Sequence, residues 1–303
     1  CIVGGGLSGL STAYMLKAHK PVVLEGAVRL GGNAKGQVWG DLTYSIGSAY
    51  ITGAEPDAEH MVMLKALGLT ERWRHDDPTH DMMYIGGTIF PEFWFGGTDK
   101  KRKKDFVAAW DYFKKVRDTA YPDIPALPES QLDAAQFAAL DQRSFAAELK
   151  RGLGKRLHPH VEDVVRQYCW SSFGADHSEI SAAAGLNFLA SDLGGMYVFP
   201  GGNSAISAAL TRDLRAELGH DALRSNLVVV DIRQAADGVR ITYAGADGKL
   251  RTVVAEVCVV CTPKFVAKKM IDDLPAAQLE AMAQLKYRAY IVASVLVDQP
   301  RPA

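Results

Sequence analysis

Three glycines near the start of the sequence could bind the phosphates of a dinucleotide. Gly4, Gly6 and Gly9 follow the pattern G-x-G-x-x-G. In this pattern the first glycine permits a tight turn, the second lets the backbone approach a pyrophosphate, and the third lets a helix pack close to a strand. Because the following helix would present free N–H groups and its positive dipole end, we expect Leu7 and Ser8 to face the phosphates.

An acidic residue completes this dinucleotide pattern. Glu25 ends a second apolar segment about 20 positions after the glycines, where a carboxylate accepts hydrogen bonds from ribose hydroxyls. The same carboxylate would repel a 2′-phosphate, which argues against NADP. The glycine pattern alone would also fit a plain glycine-rich turn. The strand before it, the helix after it and Glu25 together favour a nucleotide site.

The segments around these residues predict a βαβ unit. Residues 1–3 are typical of the end of a buried strand, residues 10–17 of a helix and residues 21–25 of a second strand. Residues 42–52 have the composition of a hairpin, and residues 57–190 are mostly helical in pattern. The first strand is therefore followed by the elements that a nucleotide site needs.

The spacing of apolar residues changes from a helical to a strand-like pattern near residue 227. Alternating apolar residues and Asp-Gly turns predict strands at 227–232, 239–243, 252–261 and 290–298 and helices at 263–271 and 276–285. Together the elements predict an α/β protein with a Rossmann-like βαβ domain and a largely helical insertion. We expect the nucleotide-binding domain at 1–52 and 194–272, the helical substrate domain at 53–193, and the start of a second substrate segment at 273–303.

The residues after Glu25 resemble a flavoprotein motif. The run at 25–32, Glu-Gly-Ala-Val-Arg-Leu-Gly-Gly, resembles the FAD-binding motif of the flavin amine oxidases, protoporphyrinogen oxidases and carotenoid (phytoene) desaturases. In that family the Gly-Gly turn lies against the FAD diphosphate and ribityl chain. The resemblance implies that the cofactor is FAD and that its binding residues include Gly26, Arg29, Gly31, Gly32 and Asn33.

Four later segments resemble the same family in the same order. The run at 45–49 resembles a strand end that passes the isoalloxazine ring, and residues 197–202 resemble its Pro-Gly-Gly segment. Residues 229–232 resemble a strand whose valine touches the adenine, and residues 261–263 a small residue and proline after the last strand of the unit. The resemblance implies further FAD contacts at Gly47, Ser48, Ala49, Val229, Cys261 and Pro263.

The sequence also departs from the family pattern. Asn33 stands where the family usually has an arginine, so cationic support for the pyrophosphate is lost there or comes from elsewhere. Amine oxidases usually carry a lysine near the position of Val292, but no lysine occurs from Tyr290 to Pro300. This favours the desaturase and protoporphyrinogen-oxidase branches. The family's glycine-rich closing segment does not follow Pro300, so we expect a truncated chain.

The resemblance implies an oxidase or desaturase that passes a hydride from a C–H or C–N bond to flavin N5. Its substrate would be a largely apolar or amine-bearing small molecule. No residue stands out as a catalytic base. A non-redox flavin isomerase or mutase, which shares the nucleotide motifs, is one alternative, and a catalytically silent FAD-binding protein is another.

Composition bears on partners and compartment. A net charge of -1 gives no electrostatic argument for nucleic acid. The sequence has four cysteines, too few for a disulfide framework, which favours a reducing, cytoplasmic compartment. Cys258 and Cys261 form C-x-x-C within a strand-like run, where we expect structural thiols rather than a redox pair. Glu162 and Asp163 follow His158 and His160, but no cysteine or further histidine completes a metal-ligand pattern, so we predict a solvated loop and no metal.

Two aromatic segments leave alternatives open. Lysines at 100–104 precede a helix in which Phe106, Trp110 and Phe113 share one face. Residues 100–117 could therefore make a peripheral membrane contact, although an ordinary surface helix fits as well. The aromatic run at 89–95 could line an apolar pocket or belong to the core. No apolar run is long enough to span a bilayer, and the oligomeric state stays open.

Overall fold

The structure is a computed structural model that describes residues 1–52 and 56–297. Its strands are β1 Ile2–Val3, β2 Val23–Leu24, β3 Gly36–Trp39, β4 Leu42–Ser45, β5 Tyr50–Thr52, β6 Arg74–Asp76, β7 Met83–Ile85, β8 Thr88–Phe90, β9 Met196–Val198, β10 Leu223–Arg224, β11 Val228–Ala235, β12 Gly238–Ala244, β13 Leu250–Ala255 and β14 Val259–Val260. Its α-helices are α1 Leu7–Met15, α2 Glu59–Ala66, α3 Phe93–Gly96, α4 Lys103–Thr119, α5 Ala134–Asp141, α6 Phe145–Leu153, α7 Pro159–Phe173, α8 Ala182–Asp192, α9 Ser204–Leu218, α10 Lys264–Ala267 and α11 Ala276–Gln284. Residues 53–55, which begin the predicted insertion, lie outside the described residues, as do Asp298 and Pro300.

A four-stranded parallel sheet carries the predicted nucleotide site. Its strand order is β10-β2-β1-β14, and α1 follows β1 and packs against α9. Successive residues of β1 face opposite sides: Ile2 packs with Leu10 and Leu210, whereas Val3 packs with Leu24 and Ile241. Because both faces of the sheet are covered, β1, β2 and β14 are apolar throughout, and only the edge strand β10 carries a charged residue, Arg224. The predicted α/β class and βαβ unit are confirmed, and α1 begins earlier than predicted, at Leu7.

The predicted strand at 252–261 is wrong as a single element. β13 pairs with β12 in an antiparallel sheet of the order β11-β12-β13, whereas β14 pairs with β1 in the parallel sheet. Residues 256–258 carry the chain from one sheet to the other. Glu256 divides this mostly apolar run, and the two halves pair with different strands.

The predicted strand at 290–298 is also wrong for the part that the structure describes. Residues 290–297 form no strand, because no strand of the described residues lies beside them to pair with their backbone groups. One contact fixes this segment to the nucleotide-binding half: Ser294 Oγ donates to Ser45 O at 3.0 Å.

The middle of the chain has its own core. Helices α3, α4, α6, α7 and α8 contribute buried side chains to one cluster, in which the largest are Phe93, Trp94, Phe106, Phe113 and Phe145. Phe93 and Trp94 belong to the aromatic run at 89–95, so these two residues of the run are core residues. The apolar face of α4 is turned into this cluster, and the exposed residues of the helix are lysines, aspartates and a threonine. A peripheral membrane contact stays a prediction.

Several strands interrupt the region predicted as helical. β7 and β8 form a hairpin, and β6 and β5 flank β9 in a three-stranded sheet. The hairpin predicted at 42–52 is wrong in register: β4 pairs with the preceding β3, and β5 leaves to pair with β9. Helix α2 lies within the predicted insertion, but its Met63 and Leu64 pack in the cluster of α1 and α9. The domain boundaries stay a prediction.

The prediction of a solvated loop at His158 is wrong. It is the N-cap of α7, where its Nδ1 accepts from the His160 N–H at 3.1 Å, and only 6% of it is exposed. His160 Nδ1 and Thr98 Oγ1 lie 2.5 Å apart. Within residues 1–52 and 56–297, no group of three or more potential ligands could hold a metal ion. No helix in the same ranges has the length and apolar character to cross a membrane.

Candidate cofactor site

The three glycines of the first turn have different tasks in the fold. Gly4 has φ +106°, and a Cβ on it would lie 2.7 Å from Cys261 O. A Cβ on Gly9 would lie 1.8 Å from Gly4 O, so α1 could not stay against the turn. A Cβ on Gly6 would meet nothing closer than Gly32 Cα at 3.6 Å. The fold therefore requires glycine at Gly4 and Gly9, whereas the space beside Gly6 is open.

The N-terminus of α1 faces this open space. Gly6 is the N-cap and gives no side-chain cap, and the first helical bond runs from Leu10 N to Gly6 O at 2.9 Å. The N–H groups of Leu7 and Ser8 have no acceptor among the described residues. Unpaired N–H groups and the positive end of the helix dipole suit a phosphate.

Glu25 is held at the end of β2, beside the same turn. Its Oε2 accepts from Gly5 N at 2.6 Å and its Oε1 accepts from Ala27 N at 2.7 Å. Each carboxylate oxygen has a second lone pair, so acceptor capacity is left for ribose hydroxyls. The backbone of Glu25 is fixed as well, because its N–H donates to Arg224 O at 2.8 Å.

The Gly-Gly turn lies between the first turn and α9. Gly31 N donates to Gly5 O at 2.7 Å, and a Cβ on Gly31 would lie 3.0 Å from Ser207 Oγ. A Cβ on Gly32 would lie 2.9 Å from Gly6 Cα. The structure therefore brings Gly31 and Gly32 against the glycines of the first turn. In the same motif, Gly26 is exposed, with the nearest atom to an added Cβ being Leu227 O at 3.9 Å.

A second connection joins the motif to residues 47–49. Ser48 N donates to Asn33 O at 2.9 Å, and a Cβ on Gly47 would lie 2.1 Å from the same oxygen. Asn33 thus contacts residues 47–48 through its carbonyl oxygen. The residue is exposed, and its side chain supplies no cation. Ala49 lies beside the Pro-Gly-Gly segment, with its Cα 3.0 Å from a Cβ added to Gly202.

Asn203 is a site residue that the sequence reasoning missed. Its Nδ2 donates to Ser48 Oγ at 2.6 Å and to Tyr50 O at 2.8 Å, and only 3% of the residue is exposed. Its Oδ1 is buried and has no partner among the described residues. In the sequence, only the position of Asn203 directly after the Pro-Gly-Gly run indicates a place near the cofactor.

Three further predicted cofactor contacts, Val229, Cys261 and Pro263, lie in or directly after the later strands. Val229 is buried with Val3 and Leu24, and Cys261 N donates to Val3 O at 2.7 Å. Pro263 is the N-cap of α10, and Thr262 Oγ1 before it is buried without a partner in the part of the chain that the structure describes.

Cys258 and Cys261 flank β14 as free thiols. Cys258 packs with the cluster of Val3, and Cys261 with the cluster of Ile2, so the two lie on opposite faces of the sheet. Burial raises the pKa of the Cys258 thiol above its ordinary value. Both features agree with structural thiols and disagree with a reactive pair.

The described residues fit a flavin dinucleotide. The open space at Gly6, the unpaired N–H groups of α1, the spare acceptor sites of Glu25 and the orphaned oxygens of Asn203 and Thr262 are what such a ligand would fill. Their roles as individual cofactor contacts stay predictions.

A carboxylate and a phenol meet between α7 and α8, close in sequence to β9. Tyr168 Oη donates to Asp192 Oδ2 at 2.7 Å. Burial raises the pKa of Asp192, and burial and the nearby carboxylate raise the pKa of Tyr168. Burial also raises the pKa of Tyr50, with smaller contributions from Asp192 and Tyr290, so Tyr50 lies within electrostatic range of this pair. Sequence reasoning did not find Tyr168 or Asp192.

Comparison with known proteins gives a family and one curated relative. The family model described as flavin containing amine oxidoreductase matches residues 7–302. The oxidoreductase PigB of Serratia sp. (strain ATCC 39006) is 25% identical, over 99% of this chain and 52% of its own length. The chain thus spans about half of this relative.

Solved structures share the fold. Cyclohexylamine oxidase from Brevibacterium oxydans IH-35A has a TM-score of 0.68 at 19% identity, with 93% of this chain and 62% of that chain covered. A fatty acid isomerase from P. acnes has a TM-score of 0.62 at 15% identity, with 93% and 63% covered. At these identities the likeness concerns the fold alone.

Proposed function

The chain belongs to the family of flavin-containing amine oxidoreductases, and from this we propose that the protein removes a hydride from a C–H or C–N bond of a largely apolar or amine-bearing small molecule. The membership confirms the predicted family and FAD as the cofactor, and it supports the proposed FAD-dependent oxidoreductase activity. When bound, FAD supplies flavin N5 as the hydride acceptor. The chain's residues bind and orient the two reactants and exclude water.

One observation carries this proposal. Asn203 ties Ser48, in the segment predicted to pass the isoalloxazine ring, to Tyr50 at the start of β5. β5 pairs with β9, and Tyr50 lies within electrostatic range of Tyr168 and Asp192, which supports a ring position beside α7 and α8. A substrate held by α7 and α8 would then lie next to the reacting end of the cofactor.

The pair formed by Tyr168 and Asp192 supports an amine-bearing substrate. Asp192 Oδ1 accepts no hydrogen bond from the described residues, so it could accept one from a substrate N–H. Phe188 lies one helical turn before Asp192, is 46% exposed and packs edge-on against Phe173 with ring centroids 4.9 Å apart. A carboxylate beside exposed aromatic rings suits a molecule with one basic nitrogen and an apolar body.

The second candidate function is a non-redox flavin isomerase. One protein that shares the fold, from P. acnes, is a fatty acid isomerase, which supports this candidate. The lack of a lysine from Tyr290 to Pro300 is compatible with it. An isomerase would return the hydride to the same molecule, so the substrate would show no net oxidation.

The test uses the visible spectrum of the purified protein. We expect an FAD spectrum, and a panel of apolar amines and matched neutral compounds should include amines that bleach it anaerobically. Asp192→Asn should slow bleaching by the amines at least tenfold while FAD stays bound, and Asp163→Asn, an exposed change on α7, should not. Bleaching by neutral compounds alone would overturn the amine assignment, product of unchanged oxidation state would favour the isomerase, and a colourless protein that takes up no FAD would overturn the whole proposal.

A further inference from the structure

A cleft lies on the α9 side of the Gly-Gly turn, opposite to Gly6. Its volume is ≈ 740 Å³, within the size range of small-molecule sites. One wall is the motif segment 28–30 and the other is a face of α9, on which Ser207, Thr211 and Arg215 succeed one another at helical spacing. Ser207 also faces Gly31, so the Gly-Gly turn separates this cleft from the first glycine turn.

The lining of the cleft is cationic. It includes Arg29, Arg212, Arg215 and His220 but no aspartate or glutamate. Arg212 has an ion pair with its neighbour Asp213 at 2.9 Å. Neither Arg29 nor Arg215 has an ion pair within residues 1–52 and 56–297. A cleft that gathers unpaired guanidinium groups attracts anions.

Arg215 gives a second and independent indication of a ligand. Its Nε is buried and has no hydrogen-bond partner among the described residues. A charged donor that is withdrawn from water and left unpaired is unfavourable, so an acceptor is expected beside it. No side-chain acceptor in residues 1–52 or 56–297 fills that role.

We propose that this cleft binds a small molecule through an oxyanion group, either phosphate or carboxylate. The planar fork of a guanidinium group matches both anions with two parallel hydrogen bonds. Ala208 and Ala216 keep the floor of the cleft open, and the hydroxyl groups of Thr211 and Ser225 add neutral donors. The site lies outside the residues that the FAD motifs assign, except for Arg29, which belongs to both.

Arg29 links this anion site to the cofactor. It lies between Glu25 and Gly31, which contact the first glycine turn through Gly5 N and Gly5 O. An anion held between Arg29 and Arg215 fixes the motif segment to α9 and so keeps the Gly-Gly turn in place. Anion binding and FAD binding then strengthen each other, and by linkage the coupling is reciprocal.

The experiment uses the FAD-loaded full-length protein, so that the diphosphate site is already filled. Inorganic phosphate, succinate and chloride are compared at equal ionic strength, by calorimetric titration and by the temperature at which flavin fluorescence is released. The variant is Arg212→Gln/Arg215→Gln. Its matched control is Arg240→Gln/Arg251→Gln, which removes two arginines from the distant β12–β13 hairpin.

We expect saturable binding of phosphate or succinate, at least tenfold weaker in the cleft variant and unchanged in the control variant. The bound anion should raise the flavin-release temperature of the unchanged protein and of the control only. The stronger of the two anions identifies the ligand group. Three results would overturn the proposal: no saturable binding, equal binding by the cleft variant, or a release temperature that falls equally in chloride and phosphate when the arginines are removed. The last result would mean that protein groups fill the cleft.

Discussion

Replacing Gly6 with alanine separates the fold from the cofactor site. An added Cβ would lie 3.6 Å from Gly32 Cα, which is an ordinary van der Waals distance. The backbone of Gly6, with φ −73° and ψ −175°, is open to alanine. Without FAD, the free energy of unfolding should therefore change by no more than about 0.5 kcal/mol.

The same methyl group would occupy the space that the pyrophosphate needs. Overfilling a close contact costs about 1–3 kcal/mol, which corresponds to a roughly 5- to 150-fold weaker affinity for FAD. The affinity is measured by titrating apoprotein with FAD and following flavin fluorescence. Urea unfolding of the same apoprotein gives the stability.

Two neighbouring substitutions calibrate this result. Gly9→Ala should lower both stability and FAD affinity, because its Cβ would lie 1.8 Å from Gly4 O. Gly26→Ala should leave the stability unchanged, because its Cβ would lie 3.9 Å from the nearest atom, Leu227 O, and its effect on FAD affinity tests the predicted contact of Gly26 with the cofactor. If Gly6→Ala bound FAD as tightly as the unchanged protein, the pyrophosphate would not approach this turn and the cofactor assignment would be refuted.

Three further changes test the helical half. Glu148→Gln should lower the free energy of unfolding by about 2 kcal/mol, because Glu148 is 2% exposed and accepts from Arg143, Arg151 and Tyr112. Burial alone would raise the pKa of Glu148, but these hydrogen bonds hold it below its ordinary value. The difference in the free energy of unfolding between the unchanged protein and Glu148→Gln should therefore shrink as the pH falls below about 4. A difference that stays constant with pH would contradict this. Burial raises the pKa of Asp192. In urea titrations, the unchanged protein should therefore lose stability relative to Asp192→Asn as the pH rises from about 4 towards 7. Stabilities of the two proteins that change equally with pH would count against it. Gly185→Ala should cost about 1–3 kcal/mol by thermal unfolding, since its Cβ would lie 2.3 Å from the Phe145 ring, and an unchanged melting temperature would argue against this packing.

The cofactor half was predictable from sequence because its requirements are local and strict. Gly4 and Gly9 have no room for a Cβ, and Glu25 must end a strand at the first turn, so residue types and spacing are both constrained. The pairing of strands was less predictable. Residues 252–261 are mostly apolar, with Glu256 between two apolar halves, and only the distant Ile2 and Val3 decide that Val259 and Val260 join a different sheet.

The helical half gave weaker signals. Tyr168 and Asp192 meet because α7 and α8 lie side by side, and neither residue belongs to a motif. His158 is buried because its ring caps α7 and packs against Phe106, which a polar His-Pro-His run does not reveal. Contacts of this kind depend on tertiary packing, and spacing within one segment does not encode them.

The order of strands in the parallel sheet has a consequence for biosynthesis. β1 and β2 come from the first 24 residues, but their neighbours β14 and β10 come from residues 259–260 and 223–224. The helical cluster uses residues 93–193 only and is complete earlier. On the ribosome, the helical half should therefore fold first, while the N-terminal strands wait for their distant partners. A stalled nascent chain that exposes only residues 1–220 should hold folded helices but retain no flavin.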